Sequence, residues 1–169
     1  MAKLILAVGC SGCGKTTFGD VLKKNDSDLE IVCPDDIRKE ITGDISDQSQ
    51  NEKVWNICYA KIAKNLGNNK TVYLSATNLS KGGIKSLIKL ANKYNAVVEA
   101  VAFEDSRDWQ LCYNRVKNDI DKGIDRSNSL VNITINDAEI PLIKRMSEQY
   151  ISLIDSDFFT KNNIKVTKV

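Results

Sequence analysis

Gly9-Cys10-Ser11-Gly12-Cys13-Gly14-Lys15-Thr16 brings together the residue types needed to grip a polyphosphate. Gly9, Gly12 and Gly14 lack a Cβ, so the backbone can take positive φ and wrap closely around an anion. The loop's amide hydrogens then converge on the phosphates, and the positive end of a following helix points at the same place. Candidate nucleotide contacts are therefore Gly9, Ser11, Gly12, Cys13, Gly14, Lys15, Thr16 and Thr17. Lys15 would supply a mobile charge for the β- and γ-phosphates. The Thr16 hydroxyl is placed for the Mg2+ ion that bridges them. These positions imply a bound nucleoside triphosphate, ATP or GTP.

Asp35-Asp36-Ile37-Arg38 is the next group with chemical content. A carboxylate here could take the proton of a hydroxyl acceptor as that oxygen attacks the γ-phosphate. An arginine near the start of a helix lies at its positive end, an unusual place for a cation unless an anion accompanies it. Spacing alone leaves a plainer reading open, an Asp helix cap followed by a solvated charge.

The surrounding elements decide where these groups lie. Leu4 to Val8 is an apolar strand before the loop, and Phe18, Val21 and Leu22 recur at helical spacing behind it. Glu30 to Cys33 reads as a second strand ended by Pro34, with a short helix over 37–41 after Asp35 and Asp36. A polar stretch over 43–51 precedes a long helix carrying Trp55, Cys58, Tyr59, Ile62 and Leu66, broken at Asn68-Asn69. Thr71 to Ser75 is a third strand, and Ser80 caps the helix that follows it. Ala96 to Phe103 is a fourth strand, followed by a helix through Trp109, Cys112, Tyr113 and Val116. The stretch 117–136 is polar. A last long helix carries Leu142, Met146, Tyr150 and Leu153, and 164–169 forms a fifth strand. Alternation of this kind predicts an α/β P-loop NTPase fold, a parallel five-stranded sheet with helices on both faces, in one domain over 1–169. Ligands of such sheets bind beyond the carboxyl ends of the strands. The rule gathers 9–16, 34–38, 76–78 and 104–107 on one rim.

Composition narrows the classes. Charged residues make up 27% and hydrophobic ones 42%, with no apolar run long enough to span a bilayer, so no membrane partner and a cytoplasmic location are expected. Five cysteines, an odd number, suit a reducing compartment. Cys10 and Cys13 have a Cys-x-x-Cys spacing, but they lie inside the loop, and the chain has no histidine and no second pair. Metal binding by them is not expected. A helix N-terminus lowers thiol pKa values, which marks Cys13 as a candidate reactive thiol. A net charge of +2 argues against wrapping long duplex DNA. Trp55, Tyr59 and Trp109 could stack on bases, but all lie on apolar helical faces, and core packing is the better reading.

The opening strand, GCSGCGKT at 9–16, PDDIR at 34–38 and SATNL at 75–79 resemble the kinase module of phage polynucleotide 5′-kinases, over roughly residues 1–125. The resemblance implies Asp35 as general base toward a 5′-hydroxyl and Arg38 as the grip on the acceptor's phosphate. It also implies Asp36, Thr77 and Asn78 along the acceptor side, and a lid over about 115–130 with Arg115 and Arg126 as catalytic arginines. The acceptor would be a single-stranded nucleic acid 5′ end or a nucleotide. In that family the strand-three motif usually carries Asp where this chain has Ala76, and Asp36 is the candidate substitute. Asp119 stands about where the second lid arginine is usual. The phosphatase domain that often follows is not expected in a chain of this length. Two other readings remain open: a small-molecule P-loop kinase for a nucleoside, nucleotide or sugar, and a nucleotide-binding switch with no acceptor. The oligomeric state is not legible.

Overall fold

Strands that are apolar throughout must be covered on both faces, and alternating helices supply that cover. The computed structural model describes residues 1–127 and 129–169. Asn128, inside the expected lid, lies outside the described residues. Strand β1 (Lys3–Val8) is central, between β3 (Thr71–Leu74) and β4 (Val97–Ala102). Strands β2 (Glu30–Val32) and β7 (Lys165–Lys168) form the edges, and every pairing is parallel.

Side chains alternate across β1, so its two faces feed two cores. Leu4, Leu6 and Val8 pack with Val72, Leu74 and the apolar stripes of α3 (Asn51–Gly67) and α4 (Lys81–Asn92). Ala7 and Tyr73 pack on the other face with Val101, Phe103, α1 (Lys15–Asn25) and α5 (Trp109–Asp121). The remaining helices are α2 (Pro34–Thr42), α6 (Leu142–Ile154) and the short α7 (Phe158–Lys161). No helix among the described residues is long and apolar enough to cross a membrane.

Ser80 caps α4 as expected, accepting a hydrogen bond from the Gly83 amide at 3.3 Å. Ser80→Ala should therefore lower stability by about 1 kcal/mol in urea unfolding, with Ser80→Asp close to wild type.

Two local expectations are corrected, and one element is added. Helix α2 starts at Pro34, not at residue 37, because proline's fixed φ suits the first helical position. Asp35 and Asp36 are therefore in its first turn, where the positive end of the helix favours them. The polar stretch after α5 holds an antiparallel hairpin, β5 (Asn132–Ile135) with β6 (Ala138–Pro141). Its turn residues Asn136 and Asp137 both have positive φ, at 50° and 64°, as a two-residue hairpin turn requires. A 3-10 turn (Glu104–Arg107) follows β4 and carries Ser106 under the phosphate loop.

Candidate active site

The loop leaves β1 at the carboxyl edge of the sheet and is pinned there from three sides. Gly9 donates its amide hydrogen to the Thr77 carbonyl at 3.1 Å, and Cys10 donates to Ser106 Oγ at 3.1 Å. Gly12 and Gly14 have φ of 81° and 102°, and Gly14 caps α1. Beneath the first turn of α1, the Tyr73 hydroxyl donates to the Lys15 carbonyl at 2.9 Å. A Cβ on Gly19 would lie 2.7 Å from the Tyr73 ring, so glycine there lets the helix settle on the tyrosine. Nothing in the spacing of the sequence marks this pair.

A cavity of about 520 Å3 opens above the loop. Ser11, Gly12, Gly14, Lys15, Thr16 and Thr17 form its floor, and Asp35 and Asp36 stand on its wall. The Lys15 ammonium donates to the Cys10 carbonyl at 2.5 Å and the Gly9 carbonyl at 3.2 Å, the acceptors that phosphate oxygens would replace. Among the described residues no group of three or more Cys, Asp or Glu could hold a metal ion. The exposed Thr16 hydroxyl with Asp36 nearby fits Mg2+, which is held largely through nucleotide phosphates and water.

Arg38 lies behind Asp35 and is not part of the cavity lining. It is 5% exposed and donates to Asp35, to Asn51 Oδ1 at 3.2 Å and to the Ile45 carbonyl at 3.5 Å. Its Nε is buried without a partner. With Ala76 packed in the core, no strand-three carboxylate reaches the guanidinium, and it turns to Asp35 and Asn51. Thr77 and Asn78 are also outside the lining. The Asn78 amide donates to the Ala7 carbonyl at 2.7 Å and the Ala76 carbonyl at 3.3 Å, from a backbone at φ 47°. It braces the loop's exit from the sheet.

Arg115 and Arg126 both reach the loop region. Arg115 pairs with Asp105 at 2.7 Å and donates to the Gly12 carbonyl at 3.4 Å. Arg126 pairs with Asp119, its Nε donating to Asp119 Oδ2 at 2.8 Å. The stretch around Arg126 also meets the far wall, where Lys39 pairs with Asp125 at 2.5 Å. A second cavity, about 560 Å3, lies on the other side of Arg126 and is lined by Phe18, Val21, Phe103 and Arg115.

Cys13 does not have the lowered pKa expected of a thiol at a helix N-terminus. It is buried, and a hydrogen bond with Cys10 together with burial pushes its pKa up. Cys10 is raised to about 11, chiefly by its hydrogen bond with Cys112. Trp55, Tyr59 and Trp109 pack against the two cores and line neither cavity. Asp20 and Ser75 do line the first cavity and went unremarked in the sequence. Asp20 had a signal, since it lies one turn after Thr16 on the same face of α1.

The strand order β2-β3-β1-β4-β7 and a glycine loop running into α1 define a P-loop kinase fold. The chain belongs to the AAA domain family, whose model matches residues 4–129. No curated protein sequence matches it. Among solved structures, it is similar to the Pnkp1/Rnl/Hen1 RNA repair complex, with 20% identity and a TM-score of 0.68 over 93% of this chain and 47% of that one. It thus spans less than half the length of the chain it matches there. Shikimate kinase from Acinetobacter baumannii is similar over 100% of this chain and 83% of that one, with 14% identity and a TM-score of 0.54. A fungal RNA kinase is similar over 95% and 67%, with 17% identity and a TM-score of 0.52. Kinases for both nucleic acid and small acceptors therefore share this fold.

Proposed function

We propose that the chain transfers the γ-phosphoryl group of ATP or GTP to the 5′-hydroxyl of a nucleic acid end. The observation that carries this reading is Asp35 on the wall of the cavity whose floor is the phosphate loop. The donor's base would rest against Phe18, Val21 and Phe103 in the second cavity, and its phosphates would run over Gly12 and Gly14 to Lys15. The acceptor oxygen attacks the γ-phosphorus as Asp35 takes its proton, and the bond to the β-phosphate oxygen breaks. Arg126 and Lys15 offset the charge gathering on the transferred group. Magnesium, held by Thr16 with help from Asp36, would draw charge from the β- and γ-oxygens. Arg38 acts through Asp35, holding the carboxylate in place from behind. Asp36→Ala should raise the magnesium concentration needed for half-maximal activity several-fold, with little change in fold.

A specific observation favours a second acceptor class. Lys15 and Arg126 are the cations lining the first cavity among the described residues, against the carboxylates of Asp20, Asp35, Asp36, Asp119 and Asp125. With Arg38 buried, that wall also suits an uncharged polyhydroxyl acceptor.

The deciding experiment offers γ-labelled ATP and magnesium with 5′-hydroxyl oligonucleotides, nucleoside 3′-monophosphates, nucleosides and sugars in parallel. Label on oligonucleotides and 3′-monophosphates, lost in Asp35→Asn, supports the 5′-kinase. Label on nucleosides or sugars alone replaces it with the second reading. Nucleotide binding without label on any acceptor leaves a switch.

A further inference from the structure

Gly12, Gly14, Thr17, Asp119 and Arg126 are the residues that line both cavities. The first three belong to the phosphate loop and the start of α1, and Asp119 and Arg126 form an ion pair where the two cavities adjoin. A nucleotide with its base in the second cavity and its γ-phosphate over Lys15 would carry its phosphates past that pair. Helix stability does not account for the acid at this point. Asp119 sits in the last turn of α5, where the negative end of the helix disfavours a carboxylate. What returns Arg126 to it is the helix end itself. Gly123 has φ 76°, and Ile124 donates its amide hydrogen to the Asp119 carbonyl at 2.9 Å, turning the chain back over α5.

We propose that Asp119 is a positioning residue for the lid, a carboxylate that stands in for the phosphates and holds Arg126 beside their path until a triphosphate displaces it. The inference rests on the reading of the loop as a triphosphate site, and it is independent of the acceptor. Phosphate oxygens arriving beside the pair repel the carboxylate and attract the guanidinium, so Arg126 exchanges one anionic partner for another. Nucleotide binding therefore works against the pair.

The test is equilibrium binding of a non-hydrolysable ATP analogue and of adenosine to the wild type, Asp119→Asn, Arg126→Gln and the double variant. Asp119→Ala serves as the second variant at the same site. The Asp119 side chain has no other hydrogen bond among the described residues, so these substitutions should keep the fold. Both Asp119 variants should bind the analogue about five-fold more tightly, with adenosine unchanged. In the Arg126→Gln background the gain should disappear. Unchanged or weaker binding of the analogue in Asp119→Asn and Asp119→Ala overturns the proposal. So does a gain of full size in the Arg126→Gln background, which would be plain repulsion between Asp119 and phosphate. Failure of the wild type to bind the analogue would instead refute the triphosphate site.

Discussion

Asp35→Asn should lower kcat by about 10²–10⁴-fold while leaving the affinity for nucleotide nearly unchanged. The amide keeps an oxygen that Arg38 can donate to, so the geometry survives, but it cannot take the acceptor's proton. The same substitution leaves a guanidinium that is 5% exposed without its carboxylate. Removing one partner of a buried pair is strongly destabilising, but the Asp35 side chain is 41% exposed, and water screens part of that cost. A loss of about 1–2 kcal/mol in urea unfolding is expected. The two effects separate in Asp35→Asn with Arg38→Met, which removes the orphaned charge and should recover stability without recovering turnover. Recovery of turnover in that double variant would show that Asp35 acts on Arg38 and not on the acceptor.

Gly12→Ala should have the largest effect on the donor side. Its φ of 81° is strained for any residue with a Cβ, and the added carbon would lie 2.4 Å from the Cys112 carbonyl oxygen and 3.0 Å from Val116 Cγ2. The loop cannot keep its path without pushing on the backbone of α5. Strain and overlap together should cost about 2–4 kcal/mol of stability and weaken nucleotide binding by about 100-fold or more. Gly14→Ala is the informative companion. Gly14 has φ 102°, yet nothing lies within 4 Å of the added carbon. It should carry the backbone strain alone and lose measurably less, read from the thermal midpoints and ATP-analogue titrations of both variants.

The parts of this molecule legible from the chain are those whose cause is local. Alternating apolar strands, the helical stripes and the Ser80 cap depend on neighbours a few residues away, and they stand where the spacing put them. The β5–β6 hairpin escaped because its strands are four residues each and three of those eight side chains are polar, while its Asn-Asp turn lacks glycine. Arg38 escaped for a different reason. Its burial depends on Ile45 and Asn51, which approach only after the chain has turned back from α2 toward α3. Likewise, Asn78 looked like a cleft residue from its place after strand three, but its amide meets carbonyls from β1 that only the sheet brings near. Asp119 was visible as a departure from the resemblance, and its partner was not, because the turn at Gly123 is what folds Arg126 back.

That turn has a counterpart at the other end of the lid. Ile124 is tied to the end of α5, and Leu142 donates its amide hydrogen to the Val131 carbonyl, closing the base of the hairpin against α6. Arg126 therefore lies between two backbone ties, one at Ile124 and one at Val131. Each tie that fixes a loop end reduces the conformational entropy that ordering the loop must cost. On the lid proposal made above, capture of a nucleotide amounts to a short swing of one side chain between two anions.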